Sequence, residues 1–238
     1  MIAFRVGAVV LAGLVLAGCA TAANPEAGDP FEPVNRLAFK FNRELDRRAA
    51  VPAATFYRSA VPAPLRNGFH NFLANTGAPV TVVNALLQGE PKRAAVTAKR
   101  FAVNTTIGFL GFVDEATAEG IPDYHEDFGQ TLAVYGVPGG PYLVLPFLGS
   151  ALPRDLAARY VDHYLNPLNY VRNHGQTSWG YVVSVINIVD VRSRNIDTLR
   201  DIDRSSVDMY ASMRSIYLQH RESEISNGKT APDALPNF

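Results

Sequence analysis

Between Asp127 and Arg154 the chain carries no charged side chain. The centre of that interval, "YGVPGGPYLVLPFLGSALP" (Tyr135 to Pro153), is apolar enough to favour leaving water. It cannot be an ordinary helix, because Pro138, Pro141, Pro146 and Pro153 each remove a backbone N–H and clash with the preceding turn. Gly136, Gly139 and Gly140 add freedom that a regular element would have to suppress. "YLVLPF" has strand-favouring residues, but Pro146 limits it to an edge or one arm of a hairpin. The fold must therefore house a kinked, uncharged, apolar segment.

Arg5 is the only charge before Glu26, and the run "VGAVVLAGLVLAG" behind it is too short to span a bilayer comfortably. It ends at "LAGC", Leu16 to Cys19, which has the form of a lipoprotein cleavage site: small residues, then a thiol that accepts a diacylglyceryl group. A plain export signal is the alternative, but Cys19 is the only cysteine and stands at the cleavage position. The expected organisation is a signal peptide over residues 1–18, a small-residue tether over 19–28, one domain over 29–225 and a tail over 226–238. The Cys19 sulfur would be consumed by lipid, leaving no disulfide. Each buried CH₂ of an acyl chain contributes about 0.8 kcal/mol, so a fully acylated Cys19 would anchor the chain permanently. Ala20 stands where the usual inner-membrane retention signal has Asp, which favours the outer membrane.

The 22 basic and 22 acidic side chains balance, so no electrostatic case exists for a nucleic-acid partner. The pattern between the termini is mostly helical. Asp29, Pro30 and Glu32 have the spacing of a capped helix start. Phe31, Val34, Leu37, Ala38, Phe41 and Leu45 then share a face, with Arg36, Lys40, Arg43 and Arg47 elsewhere. That face predicts a core-facing helix; a helix lying at a membrane interface is the alternative. "VPAPLRNGFHNFLANTGAPVTVVNALLQGEP" reads as a proline-started helix, a break at Gly77 to Pro79 and a second short helix ending at Gly89. Another runs from Pro91 to about Ile107, packing through Ala94, Ala98, Phe101 and Thr105. "YHEDFGQTLAVYG" reads as a helix closed by Gly136, and "PRDLAARYVDHYL" as one followed by a turn at "NPLNYV". Residues 177–224 read as two helices, the second with Val207, Tyr210, Ala211, Arg214, Tyr217 and Leu218 near one face.

Catalytic patterns are thin. "LGSAL" at Ser150 lacks the second glycine of a nucleophile elbow. His125, His163 and His174 have no partner at motif spacing, and no two histidines stand as a helical metal pair. "HED" at His125 to Asp127 reads as a solvated first helical turn, with acidic residues suited to a helix N-terminus; a base with an orienting acid is the alternative. "GVPGG" is not a phosphate-cradling loop, since no Lys-Ser/Thr follows.

Four stretches carry a resemblance: "DPFEPVNRLAFKFNRELD", "VPAPLRNGFHNFLANTGAPVTVVNALLQGEP", "KRFAVNTTIGFLGFVDEA" and "EDFGQTLAVYGVPGGPYLVLPFLGSALPRD". In this order, over residues 29–155, they resemble the signature blocks of the MlaA/VacJ family of outer-membrane lipoproteins. The resemblance implies an all-α, ring-like single domain around a polar channel, seated in the inner leaflet of the outer membrane, with a Pro/Gly-rich apolar ridge or short hairpin. It implies removal of mislocalised phospholipid from the outer leaflet and delivery to a periplasmic lipid carrier, often beside a trimeric porin. It implies no enzyme activity, cofactor or metal. Cys19 is then the lipid attachment site. Tyr135, Gly136, Gly139, Gly140, Pro141, Tyr142, Leu145, Pro146 and Phe147 are expected at the ridge or channel wall. Asn35, Phe39, Phe41 and Asn42 fall in a gate-adjacent helix; Phe39 and Phe41, two apart, should point to different sides of it. Asn84, Gln88, Arg100, Asn104 and Asp114 either line a lumen or are structural hydrogen-bonders. Two other readings stay open: a lipoprotein scaffold that only tethers a partner, and a lipid hydrolase, which would need Ser150 within reach of a histidine.

Overall fold

The computed structural model describes residues 29–170 and 178–227. The expected signal peptide, Cys19, the tether, His174 and tail residues 228–238 lie outside the described residues. Helix α1 spans Glu32–Leu45, with proline in its first turn, where a missing N–H is no loss. The expected capping box does not form, because both carboxylates have other partners. Glu32 pairs with Arg36 at 2.7 Å, and the Asp29 carboxylate accepts from Asn35 and the Tyr210 hydroxyl.

The chain continues through a π-helical turn, Asp46–Ala50, into α2, Val51–Ala60, which the sequence pattern does not single out. The wide turn lets the Val51 N–H reach the Asp46 carbonyl and asks nothing of Pro52. Helix α3, Ala63–Leu87, runs straight through Pro79, so the expected break at Gly77 to Pro79 is absent. An interior proline costs about 3 kcal/mol in an exposed helix. Here Asn75, Thr81, Asn84 and Ala85 on either side of it are buried, and α3 packs closely against α4, Pro91–Thr106. Tertiary packing holds the helix that local propensity would break.

Helix α4 has the expected limits but a rotated inner face: Ala94, Thr97, Arg100 and Asn104 are buried while Ala98 is exposed. A short helix α5, Glu115–Ala118, follows. Helix α6, Phe128–Val134, starts later than "YHED" suggests, because the Asp127 side chain caps it by accepting the Gln130 N–H at 2.8 Å. Nor is that acidic run solvated: Glu126 is 1% exposed and paired with Arg93 at 2.8 Å. Gly136 closes α6 with φ of 82°. Strands β1, Leu143–Leu145, and β2, Gly149–Ala151, form an antiparallel hairpin with Val144 opposite Ser150. Helix α7, Pro153–Leu165, and a 3₁₀ turn, Pro167–Tyr170, follow as expected.

The C-terminal part holds three helices rather than two: α8, Ser178–Arg194, α9, Ile196–Ser205, and α10, Met209–Ile225. Asp208 forces the last break by capping α10, accepting from the N–H groups of Tyr210 and Ala211 at 3.0 and 3.2 Å. Val207 therefore falls outside the helix and is fully exposed. Among the described residues the fold is all-α apart from the hairpin. The hairpin's inner face, Tyr142 and Val144, packs with Tyr210, and Ala38, Phe39, Tyr217 and Leu218 close the cluster from α1 and α10.

The link between α4 and α5 is held by a polar staple. Arg100 donates to Asp114 at 2.6 Å, to the Thr117 hydroxyl at 2.8 Å and to the Ile121 carbonyl at 2.8 Å. Asn104 donates to Asp114 at 3.0 Å and accepts the Ala116 N–H at 2.9 Å. Burial would raise the Asp114 pKa, but hydrogen bonds from Thr117 and Asn104 and the charge of Arg100 together hold it below its ordinary 3.8. A depressed carboxyl contributes stability above its unfolded pKa and loses it as pH falls through the folded value. Amide-exchange protection of residues 107–118 should therefore hold near neutral pH and fall in acid below about 3.8. Arg100→Ala should cost on the order of 3 kcal/mol in denaturant unfolding, because it strands the carboxylate.

Candidate functional site

The hairpin is held against α1 by two asparagine amides. Asn35 donates to the Tyr142 carbonyl at 2.9 Å and accepts the Val144 N–H at 2.8 Å. Asn42, two helical turns on, donates to the Leu145 carbonyl at 2.8 Å and accepts the Phe147 N–H at 2.8 Å. Each amide pairs with a carbonyl and the N–H two residues later, as a neighbouring strand would. Phe39 and Phe41 diverge as their spacing implies. Phe39 meets Tyr210 edge-on at 5.7 Å in the core, whereas Phe41 meets Phe147 edge-on at 5.2 Å at the hairpin tip.

That tip protrudes. Phe147 is 75% exposed and holds φ of 66°, a left-handed conformation that strains a residue bearing Cβ. The Asn42 bond and the Phe41 ring fix it there. The charge-free segment thus divides. Tyr135, Gly136, Val137, Pro146, Phe147 and Leu148 are exposed, Leu145 is partly covered, and Tyr142 is buried in the core. Gly139 and Gly140 lie tightly on Leu152 and Pro153: a Cβ on Gly139 would sit 2.8 Å from Leu152 Cδ1, and one on Gly140 3.1 Å from Pro153 Cγ. Pro141 leads from that contact into the hairpin. Tyr135 donates its hydroxyl to the Leu87 carbonyl at 2.8 Å.

The apolar face of α1 does not face the core. Val34, Leu37, Phe41 and Leu45 are exposed, Leu37 by 71%. Toward the protein α1 presents Asn35, Ala38, Phe39 and Asn42 instead. Residues 107–113 form a second apolar projection, which the sequence reading treats only as the end of a helix. Phe109 and Leu110 have φ of 52° and 61°, and Phe109 is 78% exposed. Phe112 folds back onto Phe69 and Phe72. Its signal was present: "IGFLGF" is apolar and glycine-punctuated, like the Tyr135 segment. Arg100, Asn104 and Asp114 stand at its base.

Beside the hairpin lies a cleft of about 510 Å³. Its lining mixes apolar side chains, from Leu148, Leu199, Met213 and Ile216, with charged ones, from Asp127, Asp155, Arg159, Asp162, Arg221 and Glu224, beside Ser150, Tyr217 and His220. Arg221 donates to Asp127 at 2.7 and 2.8 Å, to Asp155 at 2.8 Å and to Glu224 at 2.9 Å. Burial works against the charge on Arg221, but Asp127 and Asp155 keep its pKa raised. Burial likewise opposes ionisation of Asp127, yet Arg221 holds it below its ordinary value. Asp162 is pushed upward by burial, against hydrogen bonds from the Phe128 N–H and the Asn84 amide. Asn84 and Gln88 both bond to the Thr131 hydroxyl, at 2.9 and 3.2 Å, at the α3–α6 contact. Ser150 shares a hydrogen bond of 2.7 Å with the Tyr142 hydroxyl, and His220 lines the same cleft.

The sequence profile of the MlaA lipoprotein family matches residues 27–224. The chain belongs to the MlaA lipoprotein family. It is 34% identical to the intermembrane phospholipid transport system lipoprotein MlaA of Haemophilus influenzae, over 96% of this chain and 94% of that one. It is 33% identical to the protein of the same name from Escherichia coli, over 98% and 93%. A solved structure described under the structural basis for maintenance of bacterial outer membrane lipid asymmetry matches with a TM-score of 0.75 and 33% identity, covering 83% of this chain and 99% of that one. The MlaA resemblance over residues 29–155 thus extends through the C-terminal helices.

The asparagine clamp makes a sharp prediction. Asn42→Asp keeps the acceptor for Phe147 but turns the donor toward the Leu145 carbonyl into a second acceptor. It should loosen the hairpin tip more than Asn42→Ala does, with faster amide exchange at Phe147 in both variants. Equal exchange in both variants and the wild type would show that the clamp does not hold the tip.

Proposed function

We propose that this protein is a lipid-anchored component of the outer membrane that moves phospholipid between membranes. One observation carries the reading. Among the described residues the largest fully buried side chains are Gln130, Glu126, Asn35, Asn84, Asp190 and Ser193, while Leu37, Phe56, Phe109, Phe147 and Tyr160 are mostly exposed. A water-soluble domain has the opposite distribution, and large exposed apolar area marks a lipid or protein interface. Among the described residues no helix is long and apolar enough to cross a membrane. Such a chain would rest within one leaflet, which suits a lipoprotein anchored at Cys19.

The transport chemistry follows. A phospholipid combines a charged head with two acyl chains, and each CH₂ exposed to water costs about 0.8 kcal/mol. A path must offer the head polar groups and the chains apolar surface at once. The cleft beside the hairpin supplies both, and Phe147 and Leu148 stand at its edge as a lipid-contacting ridge. The clamp on Asn35 and Asn42 would set the position of that ridge, making α1 the gate-adjacent helix. The relatives' names support the transport reading, as does the lipid-asymmetry context of the solved neighbour. The finer parts belong to the same proposal: an inner-leaflet seat, a channel through the domain, uptake from the outer leaflet, a periplasmic carrier that receives the lipid, and a porin neighbour. In this reading the protein binds and passes lipid without changing it, so no residue is assigned a catalytic role.

Thiol chemistry tests the ridge, because the chain has no cysteine besides Cys19. Leu145→Cys and Phe147→Cys should crosslink to a photoactivatable phospholipid in membranes while resisting a water-soluble maleimide. Folded variants that capture no lipid at either position would remove the ridge. Cys19→Ala should leave an uncleaved, unlipidated form that no longer fractionates with the outer membrane; normal processing and retention would sink the anchor.

A further inference from the structure

The charges of the cleft are unequally satisfied. Arg221 is spent on three carboxylates. Arg159 lines the same cleft from α7, is exposed, and has no carboxylate in ion-pair range among the described residues. Asp162, one helical turn on, also lines it. Its partners are neutral donors, the Asn84 amide at 3.0 Å and the Phe128 N–H at 3.1 Å, with no cation paired to it among the described residues. The two residues therefore offer one free positive and one unpaired negative group on a single helix face, without closing on each other. Residues three apart on a helix stand roughly 5–6 Å apart at Cβ, the scale of the reach from phosphate to ammonium across an ethanolamine.

Building on the transport reading, we propose that Arg159 binds the phosphate of the transported lipid, and that Asp162 receives a primary ammonium. The cleft would then favour a zwitterionic aminophospholipid head over a net-anionic one. A planar guanidinium matches two phosphate oxygens at once. An anionic head without an ammonium meets Arg159 equally well but leaves Asp162 facing it with no compensating cation. Leu148, Met213 and Ile216 in the same lining offer apolar surface to the start of the acyl chains.

The test uses the full chain in detergent. Phosphatidylethanolamine and phosphatidylglycerol of matched acyl chains are offered separately, and retained lipid is read by native mass spectrometry. The wild type should retain the ethanolamine lipid more tightly. Arg159→Gln should weaken retention of both lipids about tenfold, the loss expected for one charge-assisted contact. Arg159→Lys should recover part of it, and Lys99→Gln, an exposed cation on α4, should change nothing. Asp162→Asn should erase the preference by lowering only the ethanolamine lipid. Should that variant fail to fold, the wild-type preference and the Arg159 series still decide. Equal retention of both heads by the wild type, or unchanged retention in Arg159→Gln, overturns the proposal while leaving the transport reading standing. A wild type that retains neither lipid overturns both.

Discussion

Two side-chain amides on one helix hold the hairpin on which the rest of the site is built. Asn35 and Asn42 meet the free edge of β1 as a third strand would, supplying a donor and an acceptor to each of two backbone segments. A backbone strand there would have needed its own partner on the far side. Helix α1 needs none, because its peptide groups are bonded within the helix. It can thus turn Val34, Leu37 and Phe41 outward while still completing the hairpin's hydrogen bonds. Asn35 also carries the Asp29 carboxylate, which in turn takes the Tyr210 hydroxyl, so α10 is tied to the same residue. Removing a buried amide of this kind leaves several groups unsatisfied, each costing about 1–3 kcal/mol.

The polar interior follows from the same constraint. A polar or charged group taken out of water must find its partner within the protein. The buried charges are accordingly paired: Arg93 with Glu126, Arg100 with Asp114, and Arg221 with Asp127 and Asp155. Buried pairs of this type add little net stability over a hydrophobic core, but losing one partner is severe. Gly129 shows how tightly the last group is set: a Cβ there would lie 2.5 Å from both Arg221 and Asp155. The ion pairs from α1 and α2 to the C-terminal helices differ. Arg43 to Asp203 and Arg58 to Asp197 are exposed, where water and salt screen the attraction. They orient α9 more than they stabilise it.

Much of this was legible in the sequence wherever a local device sets the structure. Pro91 and Pro153 start their helices, Gly136 ends one, and Pro146 falls in the turn of the only hairpin among the described residues. The divergence of Phe39 and Phe41 follows from helical spacing alone. What failed were inferences that need the environment. Pro79 looks like a break until α4 packs beside it. The π-turn at Asp46–Ala50 is invisible in hydrophobic periodicity, as is the cap at Asp208 that divides the C-terminal region. The apolar face of α1 was visible, but a helical wheel cannot say whether water, protein or lipid lies against it. The polar candidates were recognised as residues; that Arg100, Asn104 and Asp114 brace one loop while Asn84 and Gln88 join α3 to α6 depends on contacts distant in sequence.

The strain at Phe147 unites these threads. A phenylalanine with φ of 66° would relax if its surroundings allowed, and left-handed backbone costs a residue with Cβ roughly 1–2 kcal/mol. Here it persists because the Asn42 acceptor fixes its N–H and the Phe41 ring fixes its side chain. Both fixtures come from α1, whose outer face is exposed apolar surface. The position of the tip is thus set by α1, and the tip lines the charged cleft through Leu148. The wall of the cleft at Leu148 and the seat of the helix therefore meet at two residues, Phe41 and Asn42, which hold the hairpin tip from α1.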